Sequence, residues 1–420
     1  MRPHRTRFLS LTAVTALAAM VVAACSSSGS SSTGTTGGSN KSPIMIGASL
    51  SLTGDNSVDG QAFQRGYLLW QDYINSHGGL DGGRKVQMVF LNDASDPTTV
   101  TTNYTKLIAQ QKVNLVFGPF STLLTVPSAK VAARYGYAFI EGAGGGPSVF
   151  ALKLPNVFAV SPAVQNQLVP FANWVASLPA SQRPKTAAYP MVNDPFADPM
   201  TMTAQGILQK AGVKTVYSKI YPAENPDYKA GADSVAATGA QMVVLGSVDV
   251  PTVSAFMQAF EQQHYNPQIF AASSGPDQGA AFLKVVGTNN ATGTFVPNGW
   301  YGSLQNPLNQ AMVSAYIAKY GGTPSDINAD VAEAYSVGEV AAAAITATKS
   351  VDNAKIISYL HSGVTTQTVQ GPAKFDSVGV NTVAQEFIFQ WQHGGKFVQV
   401  LPTTASGSVS LINPKPNWGS

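Results

Sequence analysis

The stretch IMIGASLSLTGDNSVDG, at residues 44–60, decides the fold, because it begins with a continuous apolar run and ends in a polar, glycine-bounded turn. A short apolar run of this kind is typical of a strand buried on both faces of a parallel sheet. Residues 61–76 follow, with Phe63, Tyr67 and Trp70 on one stripe at helical spacing. The segment therefore predicts a strand, a loop and a helix in succession.

The same alternation of apolar runs and helical patterns continues along the chain. Its repetition over 420 residues predicts an α/β fold with two doubly wound parallel-sheet lobes. Residues 387–392 and 397–401 predict a late antiparallel hairpin. The further predicted strands are 86–92, 115–120, 138–140, 157–160, 186–191, 213–221, 242–246, 269–272 and 294–297. The further predicted helices are 122–135, 165–177, 199–211, 228–238, 251–263, 278–286, 307–320 and 329–349.

The N-terminus has the features of an exported protein. Residues 1–24 have the form of a signal peptide, with three arginines before a short apolar run. The run ends in Val-Ala-Ala-Cys, which resembles a bacterial lipobox, so Cys25 is the predicted site of lipidation. A plain secretory signal with a chance cysteine is the alternative. Residues 25–42 are rich in Ser, Gly and Thr, which predicts a flexible tether between a lipid anchor and the folded body.

Charge and cysteine content exclude several classes of protein. The formal net charge of +3 is carried by Arg2, Arg5 and Arg7 of the leader, so the remainder is neutral overall. The absence of clustered basic residues argues against nucleic acid as a partner, because phosphate binding needs clustered Lys or Arg. The single cysteine leaves no internal disulfide and no cysteine-based metal site. We therefore expect no metal and no cofactor.

Signatures of catalysis are missing from the sequence. It contains no G-x-S-x-G, no Walker A motif and no H-E-x-x-H, and its five histidines are scattered. The one glycine-rich loop, residues 142–147, lacks the spacing of a dinucleotide-binding loop. It is either a tight turn or a place where a ligand approaches backbone N–H groups. The prediction is that the protein is not an enzyme.

Six motifs, in order between about residues 43 and 400, resemble one family. They resemble the type I periplasmic solute-binding proteins of the branched-chain amino acid (Leu/Ile/Val) group. The motifs are residues 44–60, the helix end INSHGGLDGG at 74–83, NDASDP at 92–97, FGPFST at 117–122, NVF at 156–158 with Pro162, and GPAKFD at 371–376.

The resemblance implies two lobes joined by three crossover strands, with a ligand held between lobes that close on a hinge. The crossovers are expected near 159–162, 295–300 and 369–375. The implied division is lobe 1 at 43–160 plus 300–368, lobe 2 at 161–299 plus 369–402, and a loose tail at 403–420.

In the first lobe, the resemblance implies ligand contact by the turn at Phe120, Ser121 and Thr122, although Ser121 or Thr122 could simply cap a helix. The family's second ligand loop aligns with Gly144, Gly145 and Gly146, which keep backbone donors but lack the usual threonine hydroxyl. A tyrosine that relatives carry in the first loop aligns near Asp59.

In the second lobe, the family's ligand-covering aromatic aligns with Phe196. The acidic partner of a ligand ammonium aligns near Ser274, with Asp277 three residues on, and Asp249 is an alternative counter-charge. Trp300 and Tyr301 are expected either to form an aromatic wall or to pack against the hinge.

The resemblance implies a monomeric, membrane-anchored, extracytoplasmic lipoprotein that passes a small molecule to an ABC permease. Because the carboxylate grip and the ammonium partner both depart from the family pattern, the ligand is expected to be a small amide or an aromatic carboxylate, with a branched-chain amino acid as the close alternative. A ligand-sensing receptor domain with a separate signalling partner is the alternative function.

Overall fold

The computed structural model describes residues 42–223 and 228–419. The predicted signal peptide, Cys25 and nearly all of the tether lie outside the described residues. Within the described ranges, no helix combines the length and apolar character needed to cross a membrane.

The first sheet has five parallel strands, as the continuous apolar runs predict. Its spatial order is β2-β1-β3-β4-β5, so the chain starts in the interior of the sheet and winds to both sides. The strands are β1 (Ile44–Leu50), β2 (Val86–Asn92), β3 (Leu115–Phe117), β4 (Phe139–Glu141) and β5 (Val157–Ala159).

Helices from both ends of the chain cover this sheet and complete the first lobe. They are α1 (Ser57–Ser76), α2 (Pro97–Thr105) with its π-helical extension Lys106–Gln110, α3 (Thr122–Arg134), α4 (Pro147–Phe150), α11 (Pro307–Tyr320), α12 (Ala329–Thr348) and α13 (Asn353–Leu360). Helices α1 and α12 pack closely because glycines face the contact. A Cβ on Gly66 would lie 2.3 Å from the Val331 carbonyl oxygen, and one on Gly338 would lie 2.2 Å from the Trp70 ring.

The second sheet has seven strands in the order β14-β13-β10-β9-β8-β6-β7 and forms the core of the second lobe. The predicted late hairpin is present as β13 and β14, and β13 runs antiparallel to β10. The strands are β6 (Thr186–Val192), β7 (Lys214–Tyr221), β8 (Met242–Leu245), β9 (Ile269–Ala272), β10 (Thr294–Asn298), β13 (Phe387–Gln392) and β14 (Lys396–Leu401). The helices are α5 (Val169–Ser177), α6 (Ala197–Lys210), α7 (Tyr228–Ala237), α8 (Val250–Gln262), α9 (Ala280–Val286) and α10 (Thr288–Ala291).

The third passage of the chain between lobes lies later than the sequence predicts. Strands β11 (Thr366–Thr368) and β12 (Gly371–Ala373) pair with each other, and Val369 and Phe375 pack in the core of the first lobe. The second lobe therefore begins after Phe375 and not at residue 369. The passing segment is held at Ala159, whose N–H donates to the Gly379 carbonyl over 2.9 Å.

The C-terminal segment is packed, and the prediction of a loose tail at 403–420 is wrong for its described part. The Lys415 N–H donates to the Gln268 carbonyl over 2.8 Å, and Trp418 Nε1 donates to the Tyr265 carbonyl over 2.7 Å. Lys415 is only 4% exposed. Hydrogen bonds to the second lobe thus fix a segment whose Pro- and Gly-rich composition indicated a free end.

Candidate ligand-binding cleft

A cavity of about 210 Å³ lies between the two lobes. Its walls are the segments that follow the carboxyl ends of strands in both sheets, where ligands of α/β folds bind. The N-terminal end of α12 supplies the remaining part of the wall.

The turn after β3 contributes two of its three predicted residues to the cavity. Phe120 and Ser121 line it, whereas Thr122 is fully buried behind the wall. Ser121 has a φ of 77°, in the left-handed region that residues with side chains rarely adopt, and it makes no side-chain cap to α3. The strained backbone at Ser121 is thus not explained by helix capping.

The glycine loop after β4 contributes one of its three predicted residues. Gly145 lines the cavity, while Gly144 and Gly146 pack against threonines behind it. A Cβ on Gly144 would lie 2.1 Å from Thr125 Oγ1, and one on Gly146 would lie 2.4 Å from Thr122 Cγ2. The Gly144 N–H donates to Glu141 Oε2, so this backbone donor is already used.

The second lobe brings all four of its aligned residues to the cavity: Phe196, Asp249, Ser274 and Asp277. The two carboxylates also hold their own loops. Asp249 Oδ1 accepts from the Thr252 N–H over 2.8 Å and caps α8, and Asp277 Oδ1 accepts from the Gly275 N–H over 2.7 Å. Both acids predicted as counter-charges therefore face the cleft.

Trp300 and Tyr301 do not form a wall of this cavity. Trp300 is buried in the first lobe, with Nε1 donating to Asn309 Oδ1 over 2.7 Å, and Tyr301 packs on Phe387 and Phe389. Both residues line a neighbouring cavity of about 540 Å³, which shares Asp277, Asn298 and Ala329 with the first. The hinge-packing alternative agrees with these contacts, and the aromatic-wall alternative does not.

Sequence reasoning aligned Asp59 with a family tyrosine but did not identify it as a site residue. It likewise did not identify four other acids that line the cavity: Asp55, Asp194, Asp330 and Glu333. Asp59 lies in the first turn of α1, and Asp330 and Glu333 lie three residues apart at the start of α12. Acidic residues are common at such positions because the helix dipole favours them, so nothing in the local pattern marks them as a site. These acids can be recognised as site residues only in the structure, where α1 and α12 begin at the same cleft.

Of these acids, Asp59 is buried, Asp194, Asp330 and Glu333 are partly exposed, and Asp55 is exposed. Burial, followed by the charge of Asp277, raises the pKa of Asp59 to about 7. Burial, followed by the charge of Glu141, raises the pKa of Glu333 to about 8. A rise from 3.8 to about 7 costs the ionised form of Asp59 about 4 kcal/mol, more than the roughly 0.3–1 kcal/mol that a helix N-terminus provides.

A hydrogen bond joins the two lobes inside the cleft. Gln278 Nε2 of the second lobe donates to Asp59 Oδ2 over 3.1 Å, and Asn328 Nδ2 of the first lobe donates to Asp59 Oδ1 over 3.2 Å. Asp59 is 5% exposed as a result. The lobes are thus in contact across the carboxylates.

No lysine, arginine or histidine is found among the described residues that line the cavity. Phe120, Val164, Phe196 and Tyr228 add apolar surface between the acids. Within residues 42–223 and 228–419, no group of three or more His, Cys, Asp or Glu side chains is arranged to hold a metal ion. The cleft can therefore enclose a small organic molecule and compensate positive charge on it.

Two α/β lobes enclosing a ligand-sized cleft define a solute-binding protein of the hinged, two-lobe type. The chain belongs to the periplasmic binding protein family, whose profile matches residues 43–396. Members of this family are solute-binding proteins and not enzymes, in agreement with the prediction from the sequence.

Relatives with named ligands share the architecture. An amino acid binding protein of Pseudomonas aeruginosa is 23% identical over 368 residues, covering 85% of this chain and 92% of that protein. The substrate-binding protein LivJ of Streptococcus pneumoniae, solved with isoleucine, is 20% identical with a TM-score of 0.73, covering 84% of this chain and 97% of that one. A solute-binding protein of R. palustris, solved with benzoate, is 18% identical with a TM-score of 0.73, covering 89% of this chain and 99% of that one. At these identities the solved structures establish the fold.

Proposed function

We propose that this protein is the extracytoplasmic solute-binding component of an ABC importer and that it captures a small organic molecule bearing an ammonium group. The observation that carries the proposal is the charge of the cleft. Seven carboxylates from both lobes line it, and no basic side chain is among its described lining residues. A buried ammonium needs a carboxylate partner, and the buried carboxylate of Asp59 is costly without a positive charge beside it.

This charge favours an amino acid among the ligand classes expected from the sequence. An aromatic carboxylate would add a negative charge beside Asp59, Asp277 and Glu333, and no lysine or arginine of the described wall would balance it. The Streptococcus relative was solved with isoleucine. An amino acid of this kind carries an ammonium group and remains within the proposed class of ligands. Uncharged amides leave the carboxylates without compensation.

Capture takes place by closure of the lobes. Ligand that contacts Asp59 in the first lobe and Asp277 in the second stabilises the closed state relative to the open one, since both contacts exist only when the lobes meet. The closed form is then what the permease distinguishes from the empty protein.

The protein is anchored to the outer face of the membrane through a lipid on Cys25, and residues 25–42 act as its tether. The lipobox-like sequence Val-Ala-Ala-Cys supports this anchor. Replacing Cys25 with Ala is expected to abolish incorporation of radiolabelled palmitate and to release the protein from the membrane fraction. Retention of the Cys25→Ala protein in the membrane would contradict the lipid anchor.

The importer role is tested with the solute itself. Mass spectrometry of the compound released on denaturing the purified lipoprotein identifies the ligand, and uptake of that compound is then measured in cells lacking the gene. We expect an ammonium-bearing compound whose uptake falls to background and is restored by the wild-type gene. Unchanged uptake with loss of a transcriptional response would instead show a sensor, and chemical alteration of the compound would show an enzyme.

A further inference from the structure

A hydrogen-bonded partition separates the two cavities between the lobes. Both cavities are lined by Asp277, Asn298 and Ala329, so they meet along these residues. Asp59 lines only the smaller cavity, and Gln278 lines only the larger one. The hydrogen bond from Gln278 Nε2 to Asp59 Oδ2 therefore joins a residue of one cavity to a residue of the other, and these two side chains divide the cleft.

The two donors of the partition come from different lobes. Asn328 Nδ2 donates to Asp59 Oδ1 over 3.2 Å, and Asn328 Oδ1 accepts from the Asp330 N–H over 2.9 Å, which fixes Asn328 to the start of α12 in the first lobe. Gln278 ends a short turn of the second lobe and crosses to Asp59 over 3.1 Å. Because Gln278 moves with the second lobe, its part of the partition forms only when the lobes close.

The spaces on the two sides of the partition differ in size. The smaller cavity has a volume of about 210 Å³ and the larger one about 540 Å³. Pockets for drug-sized ligands begin at roughly 300 Å³, so the smaller cavity alone accepts only a compact molecule. Apolar side chains line the larger cavity, among them Val58, Ala62, Phe389 and Phe397. A methylene chain that passed the partition would therefore be buried against apolar surface.

We propose that Gln278 sets the upper size limit of the ligand. In the open protein the cleft is undivided, and closure brings Gln278 to Asp59 only when the ligand lies entirely within the smaller cavity. A ligand that extends past Asp59 holds these two side chains apart, and the closed state then lacks the hydrogen bond that joins the lobes. The inference rests on the proposed function, in which the cleft captures an ammonium-bearing solute, and it narrows that class to compact molecules with a short apolar chain.

Asp277 makes the limit testable by chain length. This residue lines both cavities, so an ammonium group beside it stands at their boundary. From that position the ligand can extend into the larger cavity as soon as the side chain of Gln278 is removed.

The test is isothermal titration calorimetry on the full-length lipoprotein purified in detergent. Two series of probes are used: the α-amino acids 2-aminobutyrate, norvaline, norleucine and 2-aminooctanoate, and the amines propylamine, butylamine, hexylamine and octylamine. In the series that binds, we expect affinity for the wild-type protein to rise about fourfold per methylene group among the short members. We expect it then to fall by about tenfold or more at the longest member.

Two substitutions at residue 278 separate the size limit from the hydrogen bond. Gln278→Ala is expected to abolish the fall, so that the longest member binds about tenfold or more tightly than it binds the wild type. Gln278→Leu fills a similar space without an N–H donor and is expected to keep the fall while weakening binding of the short members. Gln278 is partly exposed in a short turn, so both variants are expected to fold.

Gln263→Ala is the matched control. Gln263 also donates through Nε2 to an aspartate, Asp233 Oδ1, over 2.5 Å, but this pair lies within the second lobe and lines neither cavity. The variant is expected to reproduce the wild-type dependence of affinity on chain length.

A wild-type affinity that rises through the longest member would overturn the inference, as would the same dependence on chain length in Gln278→Ala and the wild type. Either result would leave the proposed function intact, because ammonium-bearing solutes would still bind. Absence of binding by every member of both series would contradict the proposed ammonium ligand and the inference with it. Failure of the importer role appears separately, as unchanged uptake of the bound compound in cells lacking the gene.

Discussion

The two faces of the cleft are both acidic, but the carboxylates of the two lobes have different hydrogen-bond partners. In the second lobe, Asp194, Asp249 and Asp277 each accept hydrogen bonds from backbone N–H groups of their own loops. In the first lobe, Asp59 accepts from side-chain amides of Asn328 and Gln278, and it lies against other carboxylates.

The difference separates carboxylates that stabilise the fold from carboxylates that destabilise it. A carboxylate that caps a helix or turn contributes to stability, so its presence in the second lobe needs no ligand. A buried carboxylate such as Asp59 beside other acids opposes folding and closure, so its presence in the first lobe favours a bound cation. The following predictions test this separation.

The largest effect is expected in the pH dependence of the empty protein. Burial raises the pKa of Asp59 from 3.8 to about 7 and that of Glu333 from 4.5 to about 8, so the folded protein holds more protons than the unfolded chain in this range. The free energy of unfolding should therefore fall by about 3 kcal/mol or more between pH 4.5 and 7. Urea denaturation at fixed pH values measures it.

A flat or rising profile would contradict that prediction. The scan ends at pH 7 because burial lowers the pKa of Lys415 to about 7, and that amine contributes with the opposite sign at higher pH. The double variant Asp59→Asn with Glu333→Gln serves as the reference and should show a smaller fall, with the remainder due to Glu141 and Glu339, because burial raises the pKa of each to about 8.

A smaller effect is expected for Asp59→Asn alone. This substitution should increase stability, whereas most substitutions decrease it. At pH 8 the free energy of unfolding should rise by about 1–3 kcal/mol, because the amide removes one buried negative charge next to Asp277 and Asp330. Thermal and urea unfolding of the empty protein measure the change. A loss of stability would show that Asp59 is a structural acceptor like the acids of the second lobe.

The smallest effect is expected for Asp249→Ala in the second lobe. Loss of the cap to the Thr252 N–H should lower the free energy of unfolding by about 1 kcal/mol. Asp249→Asn retains a good capping side chain and is the control, expected to stay within about 0.5 kcal/mol of wild type. A stabilising Asp249→Ala would place this residue with the acids of the first lobe.

The fold could largely be read from the sequence because parallel strands leave continuous apolar runs and the late hairpin leaves two closely spaced ones. The third passage between lobes could not, since Val369 and Phe375 are apolar in either lobe and only packing decides between them. The prediction for the C-terminal segment failed for a similar reason, because the packing of this segment depends on hydrogen bonds to distant residues such as Tyr265.

The site divides in the same way. Phe120, Phe196 and Asp277, which line the cavity, could be proposed as site residues from the sequence because they follow strands at positions that align with ligand-contact positions of the family. Asp59 and Glu333 were missed because an acid in the first turns of a helix is ordinary, and their proximity depends on two helix ends more than 250 residues apart in the chain. A local sequence pattern does not show that two distant helix ends lie close together.

The glycine loop restricts how the specificity of this protein can evolve. Gly144 and Gly146 are enclosed by Thr125 and Thr122, so a side chain at either position requires simultaneous changes behind the wall. At Gly145 the nearest atom to an added Cβ is 3.4 Å away, an ordinary contact distance. Among these three glycines, only Gly145 could acquire a hydroxyl side chain by one substitution without changes behind the wall, and that side chain would lie next to Glu141.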